Sequence, residues 1–176
     1  MAIYEGDIDA EAVRRWAYDE DLELMEQDED LLLHRSDLVP LLLELADDTS
    51  CPKANYILSI LDFYLMFIIL RAQEHQCEIV DQAAILASEA RQKNIREWGE
   101  LQKRRLLYRR GTGRVTKSQA LLMGHELLNG ASRDSDITLL DETVSTWEVE
   151  LSVPPFHRHK ERLSINKATG TFRFWR

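Results

Sequence analysis

Glycine, proline and cysteine are scarce in this chain, which carries seven, four and two of them among 176 residues. So little glycine and proline, with no low-complexity tract, excludes long flexible linkers and predicts order nearly throughout. Cys51 and Cys77 stand alone without CxxC spacing. That excludes a disulfide framework or a cysteine-based zinc site and favours a reducing, cytoplasmic setting. The N-terminal Met-Ala-Ile-Tyr-Glu-Gly-Asp lacks the basic and apolar regions of a secretory leader. The one strongly apolar run, Tyr56 to Leu70, is about fifteen residues long and has Asp62 at its centre. A spanning helix wants roughly 20 apolar residues, so the run reads as a core helix and no membrane partner is expected.

Catalytic signatures are missing as well. No nucleophile elbow, dinucleotide fingerprint or EF-hand loop is present, and Gly111-Thr112-Gly113-Arg114 lacks both the spacer and the Gly-Lys-Ser/Thr ending of a phosphate loop. His125-Glu126 opens like a zinc-protease helix, but Asn129 stands where the second histidine belongs. His157-Arg158-His159 has no two further ligands at a metal-binding spacing. The expectation is therefore no catalytic residue, no metal and no cofactor. An enzyme on this chain would need a site assembled from scattered groups such as Asp62, His125 and Arg104. Asp62 is the notable one, because a carboxylate inside an apolar helix needs either a structural partner or a role.

What is present is a helical pattern that changes period near the C-terminus. Residues 8–33 mix Ile8, Val13, Trp16, Leu22, Leu24, Met25 and Leu31 to Leu33 with acids, as one or two amphipathic helices do. Ser36-Asp37 opens a short helix with Pro40 in its first turn, and Asp47-Asp48-Thr49-Ser50 closes it. A helix hydrophobic nearly all round runs from about Pro52 to Gln73, and a second long helical pattern spans Glu78 to Arg110, with Gly99 as the point of division or bending. Another helix starts at Thr116 or Ser118 and ends at Asn129-Gly130. Then Thr146 to Val153 and Thr171 to Trp175 alternate, Arg162 to Ile165 is extended, Asn166 to Gly170 reads as a turn, and Ile137 to Leu140 is a further short strand candidate. The predicted fold is mainly α (α+β): a bundle or repeat-like stack of five to six helices over 1–130, with a small antiparallel β-meander over 131–176 packed on it.

Charge is distributed in blocks. Residues 1–50 carry sixteen Asp and Glu against three Arg, whereas residues 91–117 carry ten Lys and Arg against two Glu. The net charge is −9. Such asymmetry speaks about what approaches a protein rather than about its fold. The basic block could grip phosphates, but few aromatics accompany it and the whole molecule is acidic, so internal pairing with the acidic N-terminal helices is the preferred reading and nucleic acid the alternative. The acidic run destabilises its own helix through like charges three or four residues apart, such as Glu26 with Asp30. A basic protein partner would give that repulsion a use. The expected contact residues are Asp19, Asp21, Glu23, Glu26, Asp28 and Asp30, with Trp16 and Tyr18 as aromatic anchors.

Cys51-Pro52-Lys53-Ala54-Asn55-Tyr56-Ile57-Leu58 opens a core helix after an acidic helical hairpin. In this, over some 40 residues, the chain resembles small helical bacterial immunity proteins that neutralise toxins of contact-dependent or type VI secretion systems. The resemblance implies a cytoplasmic, non-enzymatic inhibitor and supplies no site residues. The basic block and the meander fall outside it.

Overall fold

The computed structural model describes residues 9–22, 35–71, 77–128, 136–152 and 161–175. Among the described residues, six α-helices and a four-stranded antiparallel sheet are formed: α1 (Ala10–Tyr18), α2 (Val39–Ala46), α3 (Ala54–Arg71), α4 (Cys77–Ser88), α5 (Lys93–Arg110), α6 (Lys117–Leu128), β1 (Asp136–Glu142), β2 (Thr146–Ser152), β3 (Arg162–Asn166) and β4 (Phe172–Trp175). The chain divides into two compact units, one of residues 1–64 and 81–100, the other of residues 65–80 and 101–176. α6 and the sheet share the second unit.

In the first unit, the Asp9 carboxylate accepts the Ala12 N–H at 2.7 Å and caps α1. Ala12, Val13, Trp16 and Ala17 then recur at helical spacing and are buried. A single 3-10 turn, Ser36–Leu38, leads into α2 with Pro40 in the first turn as expected. The long pattern from Glu78 to Arg110 is broken not at Gly99 but at residues 89–92, between α4 and α5. Gly99 lies inside α5 and serves a close approach: a Cβ there would stand 2.7 Å from the Ala87 Cβ and 3.3 Å from the Ala84 carbonyl oxygen. Asp62 is 7% exposed and accepts the indole N–H of Trp98 at 3.0 Å, a structural partnership.

In the second unit, α6 begins with a reciprocal cap. The Gln119 side chain accepts the Thr116 N–H at 2.8 Å while the Thr116 hydroxyl accepts the Gln119 N–H at 3.4 Å. The strands lie in chain order, with Trp147 opposite Ile165 and Ile165 opposite Phe172 in register. Alternation places Trp147, Val149, Leu151, Leu163, Ile165 and Phe172 in the core. Burial of each such aliphatic side chain contributes about 1.5–3 kcal/mol. Gly124 lets α6 settle on the sheet, since a Cβ there would meet Val149 Cγ1 at 2.6 Å and Ile137 Cγ2 at 3.0 Å. The predicted turn forms as well: the Asn166 side chain accepts the N–H groups of Ala168 and Thr169, and Gly170 takes φ +70°.

Among the described helices, α3 is long and apolar enough, by length and composition, to cross a membrane. Ile57, Leu61, Leu65, Ile68 and Ile69 along it are buried within the fold.

Candidate functional site

The C-terminal end of α1 and the segment joining α2 to α3 meet in the first unit. Lys53 holds them. Its ammonium donates to the backbone carbonyls of Trp16 (2.6 Å), Leu22 (2.8 Å) and Asp19, and lies 5.2 Å from the centre of the Trp16 ring. The Trp16 carbonyl is one that the helix end leaves unpaired, and a cation there also faces the negative end of the helix dipole. The buried Cys51 thiol donates to the Ala17 carbonyl at 3.5 Å, and burial pushes its pKa up.

Trp16 belongs to this fastening. It is 1% exposed, with Tyr56 edge-on at 6.0 Å, so it is a core residue and not the partner-facing anchor expected from the sequence. The reason is spacing: position 16 continues the buried stripe of positions 12, 13 and 17. Tyr18, by contrast, is 46% exposed, and its hydroxyl donates to the Asp48 carboxylate. That bond raises the Tyr18 pKa and lowers that of Asp48, which also accepts the Ser50 N–H at 2.8 Å. Asp19 and Asp21 are exposed, the Asp19 side chain accepting the Asp21 N–H at 3.1 Å. Glu23, Glu26, Asp28 and Asp30 lie outside the described residues.

Three carboxylates missed in the sequence reading join this surface. Glu44 receives the Arg14 guanidinium in a two-pronged bond of 3.1 and 2.9 Å, which holds its pKa below the ordinary carboxylate range. Asp47 accepts the backbone N–H groups of Arg91 and Gln92, each at 2.8 Å, just ahead of α5. Glu89 is exposed where α4 ends. Together they rim a shallow groove of about 190 Å³ whose apolar walls include Leu43, Leu86 and Ile95. Asp47 and Asp48 read in sequence only as a helix ending. Tertiary position gives them their company.

The basic block divides between the units, with Arg91, Lys93 and Arg96 in the first and the rest, from Lys103 on, in the second. Arg105 is 1% exposed, its guanidinium donating to the Glu126 backbone carbonyl at 2.6 Å and to the Gln102 side chain at 3.3 Å. Arg104 pairs with the Glu126 carboxylate at 3.1 Å, and the Tyr108 hydroxyl donates to the same carboxylate at 2.7 Å. Arg109 stacks 5.9 Å from the Phe172 ring centre. The pairing of Arg104 is thus internal, but its carboxylate comes from α6 and not from the acidic N-terminal helices.

Burial, followed by the Glu126 carboxylate, pushes the Tyr108 pKa far above 10.0. A pKa raised by folding stabilises the native state fully below the unfolded value, and that contribution is lost as pH rises through the folded one. Absorbance at 295 nm should therefore show Tyr108 still protonated at pH 11 while the chain stays folded. The late phase should vanish in Tyr108→Phe, and an unchanged titration in that variant would contradict the assignment.

Division into units sorts the charge further. The first unit contains twenty-one acids and seven bases, a net of −14, and the second ten acids and fifteen bases, a net of +5. Among the described residues no group of three or more His, Cys, Asp or Glu side chains is placed to hold a metal ion. His157 and His159 lie outside those residues, and His125 is exposed. No protein-family model matches the chain, and no curated protein and no solved structure matches it.

Proposed function

We propose that this chain is a cytoplasmic, non-enzymatic inhibitor or adaptor that binds a basic protein through its acidic unit, in the manner of an immunity protein neutralising a bacterial toxin. The observation that carries the reading is the segregation of charge: the unit with exposed Asp19, Glu20, Asp21 and Glu44 has a net charge of −14. A field of one sign steers an oppositely charged protein and accelerates association. The contact residues are Tyr18, Asp19 and Asp21, joined by Glu23, Glu26, Asp28 and Asp30. Nucleic-acid binding is the poorer reading, because Arg104 and Arg105 are committed to Glu126 and Gln102 instead of to one open phosphate-binding face.

The test is capture from the native host followed by kinetics with the captured protein. Reversing Asp19, Asp21, Glu23 and Glu26 to lysine should slow association at least tenfold and flatten its salt dependence, with the thermal midpoint within a few degrees of the parent. Equal association rates for parent and variant would remove the acidic unit from the interface.

A further inference from the structure

We infer that the groove rimmed by Glu44, Asp47 and Glu89 is an anchor pocket for a single arginine side chain presented by the basic partner. This rests on the reading above and deepens it by naming what the partner inserts.

Size excludes the first alternative. Pockets for drug-sized ligands run from about 300 to 1,000 Å³. At about 190 Å³ this groove suits one long side chain instead. Its composition selects which. Leu43, Leu86 and Ile95 offer apolar wall, while the three acidic residues Glu44, Asp47 and Glu89 line the same groove. A purely apolar anchor would have to desolvate those acids without pairing them. An arginine does both jobs, laying its methylene stem along apolar surface and keeping its guanidinium at the rim. Arginine is also among the residues most enriched where single side chains dominate an interface.

The fold already contains one half of the interaction. Arg14 binds Glu44 from α1 through both guanidinium nitrogens, at 3.1 and 2.9 Å, so a carboxylate on this rim is set at an angle that accepts a planar fork. Glu89 stands exposed on the same opening. The Asp47 oxygens each accept one backbone N–H, which fixes that carboxylate in place and leaves each oxygen a second lone pair. A guanidinium entering from solvent therefore meets Glu89 and the fixed Asp47 while Arg14 retains Glu44.

The test is a titration of the full chain, labelled with nitrogen-15, with Nα-acetyl-arginine amide. Nα-acetyl-norleucine amide serves as the stem without the charge, and guanidinium ion as the charge without the stem. The arginine compound should shift the amide signals of Leu43, Leu86, Glu89 and Ala90 saturably, and at least fivefold more tightly than either fragment. Glu89→Lys, which supplies an internal cation, and Ala90→Trp, which fills the groove, should each weaken that response at least fivefold while keeping the parent's amide dispersion elsewhere. Shifts that fail to saturate, that centre on Asp19 to Asp21, or that persist unchanged in both variants would overturn the pocket. The variant reversed at Asp19, Asp21, Glu23 and Glu26 separates the two claims. Loss of partner association in that variant, with no groove response in the parent, would overturn the pocket and keep the acidic interface. A groove response with no basic partner captured would keep the pocket and overturn its proposed use.

Discussion

Arg105→Leu should destabilise the protein by about 3 kcal/mol, because the substitution keeps apolar bulk but takes this donor from one buried and one part-buried acceptor. The guanidinium is 1% exposed and donates to the Glu126 carbonyl at 2.6 Å and to the Gln102 side chain at 3.3 Å; Gln102 is itself 0% exposed. An unsatisfied buried acceptor costs about 1–3 kcal/mol, and the substitution withdraws a donor from two acceptors at once. With a urea slope of about 1–3 kcal/mol per molar, the unfolding midpoint should fall by about 1–3 M. Arg105→Lys discriminates the cause. It retains the charge but lacks the fork that reaches two acceptors together, so it should recover less than half of the loss. A midpoint within 0.3 M of the parent for the leucine variant, a margin of about 0.5 kcal/mol on that slope, would show that the buried arginine is dispensable. Arg104→Leu, one position away and exposed to solvent, should cost well under 1 kcal/mol by comparison.

The contrast between Arg104 and Arg105 also marks the boundary of what sequence could tell. Successive helical residues point about 100° apart, so a run of basic residues is divided between faces, and composition alone cannot say which member is swallowed. The strands were legible for the converse reason. Thr146 to Ser152 and Phe172 to Trp175 alternate on a period of two, and one-sided burial against α6 fixes that period in the residues themselves. The interruption between α4 and α5 was not legible. Glu89, Ala90, Arg91 and Gln92 are acceptable helix residues, and the backbone N–H groups of Arg91 and Gln92 turn instead to Asp47, more than forty positions away. Gly99 misled in the same way, since a glycine that permits a helix to approach Ala84 and Ala87 looks in sequence like one that ends a helix. Trp16 could have been placed correctly. Its spacing from Ala12, Val13 and Ala17 marks the buried face, and that regularity outweighs the general enrichment of tryptophan at interfaces. The charge segregation, finally, was visible as blocks along the chain. Which acids share a surface was not: Glu44 and Glu89 line one groove although they are far apart in the chain.

Lys53→Met should destabilise the first unit by about 2 kcal/mol and loosen the end of α1 that carries Tyr18, Asp19 and Asp21. Hydrogen bonds from a charged donor contribute about 1.5–3 kcal/mol, and here one ammonium serves three carbonyls, those of Trp16, Asp19 and Leu22, although water can reclaim part of what methionine gives up. The stacking of the cation on Trp16 adds about 0.5–1 kcal/mol to the loss. Methionine preserves the unbranched stem, so packing is nearly unchanged and the charged head is what the substitution tests. Hydrogen exchange should report the effect locally, as faster exchange of the Asp19 and Leu22 amides, which both donate into the end of α1. The functional consequence divides cleanly between rates. Removing Lys53 makes the acidic unit one charge more negative, so attraction of a basic partner and its association rate should be maintained or raised. The disordered α1 end must then be re-ordered in the complex, so dissociation should accelerate, by about tenfold if 1.4 kcal/mol of that ordering is charged to binding. Slower association with unchanged dissociation would be the opposite pattern, and would mean that the partner is drawn by positive charge at Lys53 rather than by the acids.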